Sequence, residues 1–161
     1  MLKNWYGWFS ISAIIVALDL YTKYLVQQDF DYGDRLTVTS FFELVRFHNE
    51  GAAFSFLADA GGWQKWFFTA VSVVAVVVIT YLIIKHSKIT HPSQKLFCWG
   101  LALVLGGAVG NLYDRLTLGY VVDFLYFHID DLYWPAFNVA DSAICVGVAL
   151  LLWDSFKTEK K

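Results

Sequence analysis

The chain has 161 residues, of which 58% are hydrophobic and only 16% charged, an apolar share above and a charged share below those of an ordinary soluble domain. Its formal net charge of −2 excludes the basic footprint of a nucleic-acid-binding domain. The two cysteines, Cys98 and Cys145, both fall inside apolar runs, which argues against a disulfide framework or a metal site and predicts small buried hydrophobes.

Four apolar runs are long enough to cross a bilayer, which takes about 17–25 helical residues. The first, 5–26, is too long for a signal-peptide core, contains Asp19 and Lys23, and lacks a small-residue cleavage site. It is read as a retained helix. Asp19 and Lys23 stand i, i+4 in the favoured acid-first order, either as a self-neutralising pair that lets the helix cross lipid or as part of a site. Residues 28–62 include RLTVTSFFELVRFHN, whose β-branched and aromatic content predicts two short strands. Runs 63–84 and 96–113 are the second and third spans. Within GGAVGNLYDR (106–115), Gly106 and Gly110 form a small-xxx-small pattern suited to close helix packing. Asn111, Asp114 and Arg115 share one face there, as a polar helix end with an internal ion pair or as part of a site. Residues 119–134, GYVVDFLYFHIDDLYW, are strand-like again, with a turn at Asp130–Asp131. The fourth span is 134–153, and no linker, repeat or low-complexity tract divides the single domain 1–161. His48 and His128 are expected at an interface, since the His and carboxylate spacings match no metal motif.

Lysines 3, 85, 88, 95, 157, 160 and 161 fall at the two ends and in the second connection, which the positive-inside rule places in the cytoplasm. The expected fold is therefore a membrane α-helical protein. It has four transmembrane helices, both termini cytoplasmic, and a small extracytoplasmic β-rich element.

FNVADSAI (137–144) sets an acid, Asp141, inside the fourth apolar run, where a carboxylate costs about 2.5–3.5 kcal/mol near a helix centre. Counted from Pro135, Asp141 lies about 9 Å down the span, and Asp19, counted from Val26, about 10 Å. Asn111, Asp114 and Arg115 close the same end of the third span, and Asp123 precedes the fourth. A shared layer implies one site. Two carboxylates, Asp123 folding back over Asp141, can share a proton, activate water and protonate a leaving amine. Ser142 with Lys23 is a weaker alternative, because Asp19 would hold the lysine charged. A proton or ion pathway competes from another class, although the opposite halves of the spans are nearly uncharged.

Taken in order, DLYTK (19–23), FHNEGAAFS (47–55), GGAVGNLYDR, VVDF (121–124) and FNVADSAI resemble the lipoprotein signal peptidase family, signal peptidase II. The resemblance implies an aspartyl endopeptidase of the bacterial cytoplasmic (inner) membrane, without cofactor, with Asp123 and Asp141 as the catalytic pair. It implies supporting or substrate-binding roles for Asp19, Lys23, Asn49, Gly51, Asn111, Asp114, Arg115, Asn138 and Ala140. It further implies a monomer among membrane lipids that cuts diacylglyceryl-modified prolipoproteins N-terminal to the lipidated cysteine, near the extracytoplasmic face, and is blocked by globomycin. Asn49–Glu50–Gly51–Ala52–Ala53 suits close approach of a peptide backbone, Asn138 is placed either to fix the Asp141 carboxylate or to position the peptide backbone, and a larger side chain at Ala140 is expected to obstruct substrate.

Overall fold

A computed structural model describes residues 5–51, 63–86 and 92–158. The elements run α1 (Trp5–Asp29), β1 (Arg35–Thr39), β2 (Phe42–Asn49), α2 (Trp63–His86), α3 (Pro92–Thr117), β3 (Val121–Ile129), β4 (Leu132–Tyr133) and α4 (Val139–Thr158). All four helices are long and apolar enough to cross a membrane. A helix satisfies its own backbone, so such segments are stable in lipid where an open strand is not. The four strands form an antiparallel sheet in the order β1-β2-β3-β4, as the two strand-like connections predict.

α3 is the hub of the bundle and packs against α1, α2 and α4. Glycines make this possible. A Cβ at Gly106 would stand 2.9 Å from the Ser12 carbonyl of α1, and one at Gly107 would strike the Ala140 carbonyl of α4. Ser12 Oγ donates to the Ala102 carbonyl at 2.8 Å, a further tie between α1 and α3. Ile79, Ile83, Leu101 and Leu105 fill one end of the bundle. At the other end Val26, Val122 and Phe124 join the sheet to α1, and Phe30, Leu44 and Val139 pack around them.

Two boundaries differ from the sequence expectation in ways that matter. α3 runs on to Thr117, past the expected end at 113, and stops where Leu118 and Gly119 both donate to the Asp114 carbonyl, at 2.7 and 3.2 Å, with Gly119 at φ +89°. α4 begins at Val139, not at 134. The reason is backbone pairing: Trp134 donates to Phe127 at 2.9 Å, and Phe137 and Leu125 exchange bonds at 3.0 and 2.8 Å. Beyond β4 the chain thus stays tied back along β3 through Trp134 and the isolated bridge at Phe137, the hairpin having turned at Asp130 (φ +48°). Asp141 consequently sits in the first turn of α4 and not about 9 Å down a span. Cys98 is buried as expected, but Cys145 is exposed, on a face of α4 that no other described element covers.

On the sheet, Phe41, Phe127, Ile129, Leu132, Tyr133, Trp134 and their neighbours line an open apolar groove of about 910 Å³.

Because the Ala140 carbonyl is backbone and cannot swing aside, Gly107→Val should destabilise the protein by about 1–3 kcal/mol. Gly7→Ala, where a Cβ meets open space, should be neutral or slightly stabilising. Thermal midpoints in detergent test this; equal midpoints would mean that α3 and α4 are not in close contact there.

Candidate active site

The site is built from the ends of α1 and α3, the start of α4 and the middle of the sheet. On α1, Asp19 and Lys23 pair one turn apart at 2.7 Å, and neither is more than 1% exposed. Lys23 Nζ also meets Asp114 Oδ2 at 3.0 Å and donates to Asn111 Oδ1 at 3.0 Å. A lone buried ammonium would be prohibitive; here its three donors meet two carboxylates and an amide oxygen. The acids reach further. Asp19 Oδ1 accepts the Ala140 N–H at 2.9 Å, and Asp114 Oδ2 accepts the Val122 N–H at 3.1 Å. One cluster therefore pins α1, α3, α4 and β3 to each other.

Asn138 and Asp141 form a reciprocal cap at the start of α4. Asn138 Oδ1 accepts the Asp141 N–H at 2.9 Å, and Asp141 Oδ2 accepts the Asn138 N–H at 3.2 Å. This is a capping box with Asp in the place usual for Glu or Gln. The amide of Asn138 then donates to Asp123 Oδ1 at 2.8 Å. Asn111 Nδ2 donates to Asp141 Oδ1 at 2.7 Å, and Asn49 Nδ2 to Asp123 Oδ2 at 3.0 Å. Asp123, opposite Phe47 in the β2–β3 register, and Asp141 are thus held by a common asparagine.

Their environments differ. Asp123 is buried, at 3% exposure, whereas Asp141 is half-buried. Burial first, and then the neighbouring charge of Asp141, push the Asp123 carboxyl up to about 7, against the hydrogen bonds of Asn49 and Asn138 and the charge of Lys23. Near neutral pH this carboxyl is partly protonated, as general acid chemistry requires.

Every named site residue falls within this region, though some roles differ from expectation. Gly51, at φ +108°, donates its N–H to Asn49 Oδ1 at 2.9 Å and so fixes the Asn49 amide; a Cβ there would come 2.5 Å from the Phe68 ring. Ala52 and Ala53 lie outside the described residues. Of the two readings of Asn111, Asp114 and Arg115, the internal ion pair does not form: Asp114 is engaged by Lys23 and Val122, while Arg115 Nη1 turns to Ser72 Oγ and the Asn111 carbonyl, both at 3.4 Å. Ala140 is fully buried against α1 and α3, so a larger side chain there would meet the bundle and not a substrate. Ser142 Oγ donates to the Asn138 carbonyl at 2.9 Å, and Lys23 is engaged elsewhere, so no serine–lysine pair is assembled. His48 stacks on Tyr120 at 3.8 Å; burial and then Arg46 lower its basicity. Sequence reasoning missed the cap itself, although N-x-x-D ahead of an apolar run is its signature.

Comparison with known proteins gives the family. The family model described as signal peptidase (SPase) II matches residues 11–157. A lipoprotein signal peptidase of Janthinobacterium sp. (strain Marseille) is 51% identical over 93% of this chain and 88% of its own length. That of Paraburkholderia phytofirmans is 53% identical over 93% of this chain and 84% of its own. A solved bacterial membrane enzyme superposes with a TM-score of 0.79 at 28% identity, covering 94% of this chain and 88% of that one. With four helices able to span a bilayer and a family match over nearly its whole length, the chain belongs to the signal peptidase II family of membrane peptidases.

Proposed function

We propose that this protein is an aspartyl endopeptidase of the bacterial inner membrane that removes signal peptides from diacylglyceryl-modified lipoprotein precursors, cutting N-terminal to the lipidated cysteine. The observation that carries the reading is that one residue, Asn138, donates to both carboxylates, through its side-chain amide to Asp123 Oδ1 and through its backbone N–H to Asp141 Oδ2. In this reading Asp141, the more exposed acid, takes a proton from the attacking water. Asp123 gives its own to the scissile carbonyl oxygen. Collapse of the resulting tetrahedral diol returns a proton to Asp123, while the proton held by Asp141 passes to the leaving amine. Both carboxyls end as they began.

The apolar groove beside the site offers hydrocarbon surface for a lipid-linked substrate. We place the site at the extracytoplasmic face, with both termini in the cytoplasm and the protein acting as a monomer, sensitive to globomycin. Ion transport is the weaker reading: the core cluster towards the other end of the bundle is the hydrocarbon of Ile79, Ile83, Leu101 and Leu105.

Purified protein in detergent should cut a diacylglyceryl-modified precursor and leave the non-lipidated one intact. Asp123→Asn and Asp141→Asn should each lose at least about 10³-fold in kcat while still unfolding in one cooperative thermal transition. Cleavage by folded variants would move the chemistry elsewhere. A pH profile adds a second check. Asp123 must hold its proton, so kcat/KM should fall as pH rises through about 7. The Asn49 hydrogen bond favours the charged form, so Asn49→Ala should shift that fall to higher pH. An unmoved or lowered limb would refute the assignment of the proton to Asp123.

A further inference from the structure

We infer that Lys23 acts on catalysis through Asn111: the buried ammonium fixes the direction of the Asn111 amide, which in turn holds Asp141, making Lys23 a positioning residue for the reacting acids and not merely a counter-ion for α1. The inference rests on the aspartyl reading above and assigns a role within that site.

The argument is one of donors and acceptors. An ammonium has three N–H donors and no acceptor. Those of Lys23 meet Asp19 Oδ2 at 2.7 Å, Asp114 Oδ2 at 3.0 Å and Asn111 Oδ1 at 3.0 Å. Asn111 must therefore turn its oxygen to the lysine, and Asn138 Nδ2 donates to that same oxygen at 3.2 Å. Only the Asn111 NH₂ remains for Asp141, and it reaches Oδ1 at 2.7 Å. Rotating the amide by half a turn would set NH₂ against an ammonium and a carbonyl oxygen against a carboxylate. Both contacts would be repulsive, so the neighbours dictate which atom is nitrogen.

The lysine does more than orient. A cation on the amide oxygen draws electron density from the nitrogen and strengthens its N–H as a donor. The 2.7 Å contact to Asp141 is in the range of charge-assisted bonds. Lys23 itself cannot drift, because Asp19 and Asp114 come from different helices and each is tied in turn to a backbone N–H. The position of Asp141 is thereby referred back to a fixed charge on α1, two hydrogen bonds away.

A double-mutant cycle separates this from a purely structural role. kcat and KM would be measured on the lipidated precursor for Lys23→Met, Asn111→Ala and the pair. Lys23→Met should lower kcat about ten-fold or more with KM changed less than about two-fold; in the Asn111→Ala background it should cost less than about three-fold further. Equal kcat losses in both backgrounds, or a loss confined to KM, would overturn the coupling. Lys23→Met leaves Asp19 and Asp114 without their cation and risks misfolding. Asn111→Asp supplies the second arm, since it keeps the lysine contact and loses the donor. Lys23 should then hold the new carboxylate against Asp141, making Asn111→Asp slower in kcat than Asn111→Ala, with both variants shown folded by a cooperative thermal transition. Asn111→Asp as fast as Asn111→Ala would overturn the inference. Asp123→Asn and Asp141→Asn run in the same assay keep the two readings apart. If those variants still cut, the aspartyl reading fails; if they are dead and the cycle is additive, only the coupling does.

Discussion

One buried cation ties together the elements that meet at the polar end of the bundle. The Lys23 ammonium lies in the joint between helices and sheet, essentially without exposure, and is neutralised by Asp19 from its own helix and Asp114 from α3. Breaking such a buried pair costs about 3–5 kcal/mol, because the partner left behind keeps its charge without water. The arrangement persists since each acid is also satisfied by a backbone N–H, of Ala140 and of Val122. Those two donors belong to the elements that carry Asp141 and Asp123. The electrostatic demand of a single lysine and the placement of Asp141 and Asp123 are thus met by the same few bonds.

The second constraint is the β3–β4 hairpin. By turning at Asp130 and pairing 134–137 back along β3, the chain delivers Asn138 beside Asp123 just as α4 begins. A helix start carries unsatisfied N–H groups. Here Asn138, Asp141 and Asp19 satisfy those of Asp141, Asn138 and Ala140. The acid in the fourth apolar run is therefore not an expensive intrusion into lipid. It is part of a cap at the polar end of the bundle, worth about 1 kcal/mol in stability before any chemistry is considered.

Close helix packing is what lets these side chains meet. Gly110 carries no Cβ where one would come 2.5 Å from Asp19 Oδ2, and Gly107 admits the Ala140 carbonyl. The pattern Gly106–Gly110, legible as a packing motif, proves to make room for the ion cluster as well. The same helix bears Asn111 and Asp114 just beyond, so packing and polar placement are read from one face of α3.

Much of this was visible along the chain. Hydrophobic runs of spanning length, strand-like connections and a polar layer at one end follow from side-chain chemistry repeated over neighbouring residues, because lipid penalises each polar group where it stands. Partnership was not visible. Apolar residues 134–137 read as the start of the fourth helix, and only the bonds of Trp134 and Phe137 back to β3 moved the start of α4 to Val139. Asp114 and Arg115, adjacent in sequence, part company because Lys23, far away in the chain, competes for the acid. Ala140 and Cys145 lie on the same helix, one sealed against α3 and the other exposed, a difference set by which face the neighbouring helices happen to cover. Local composition determines which groups must find partners; which partner each one finds depends on long-range contacts that exist only once the chain has closed on itself.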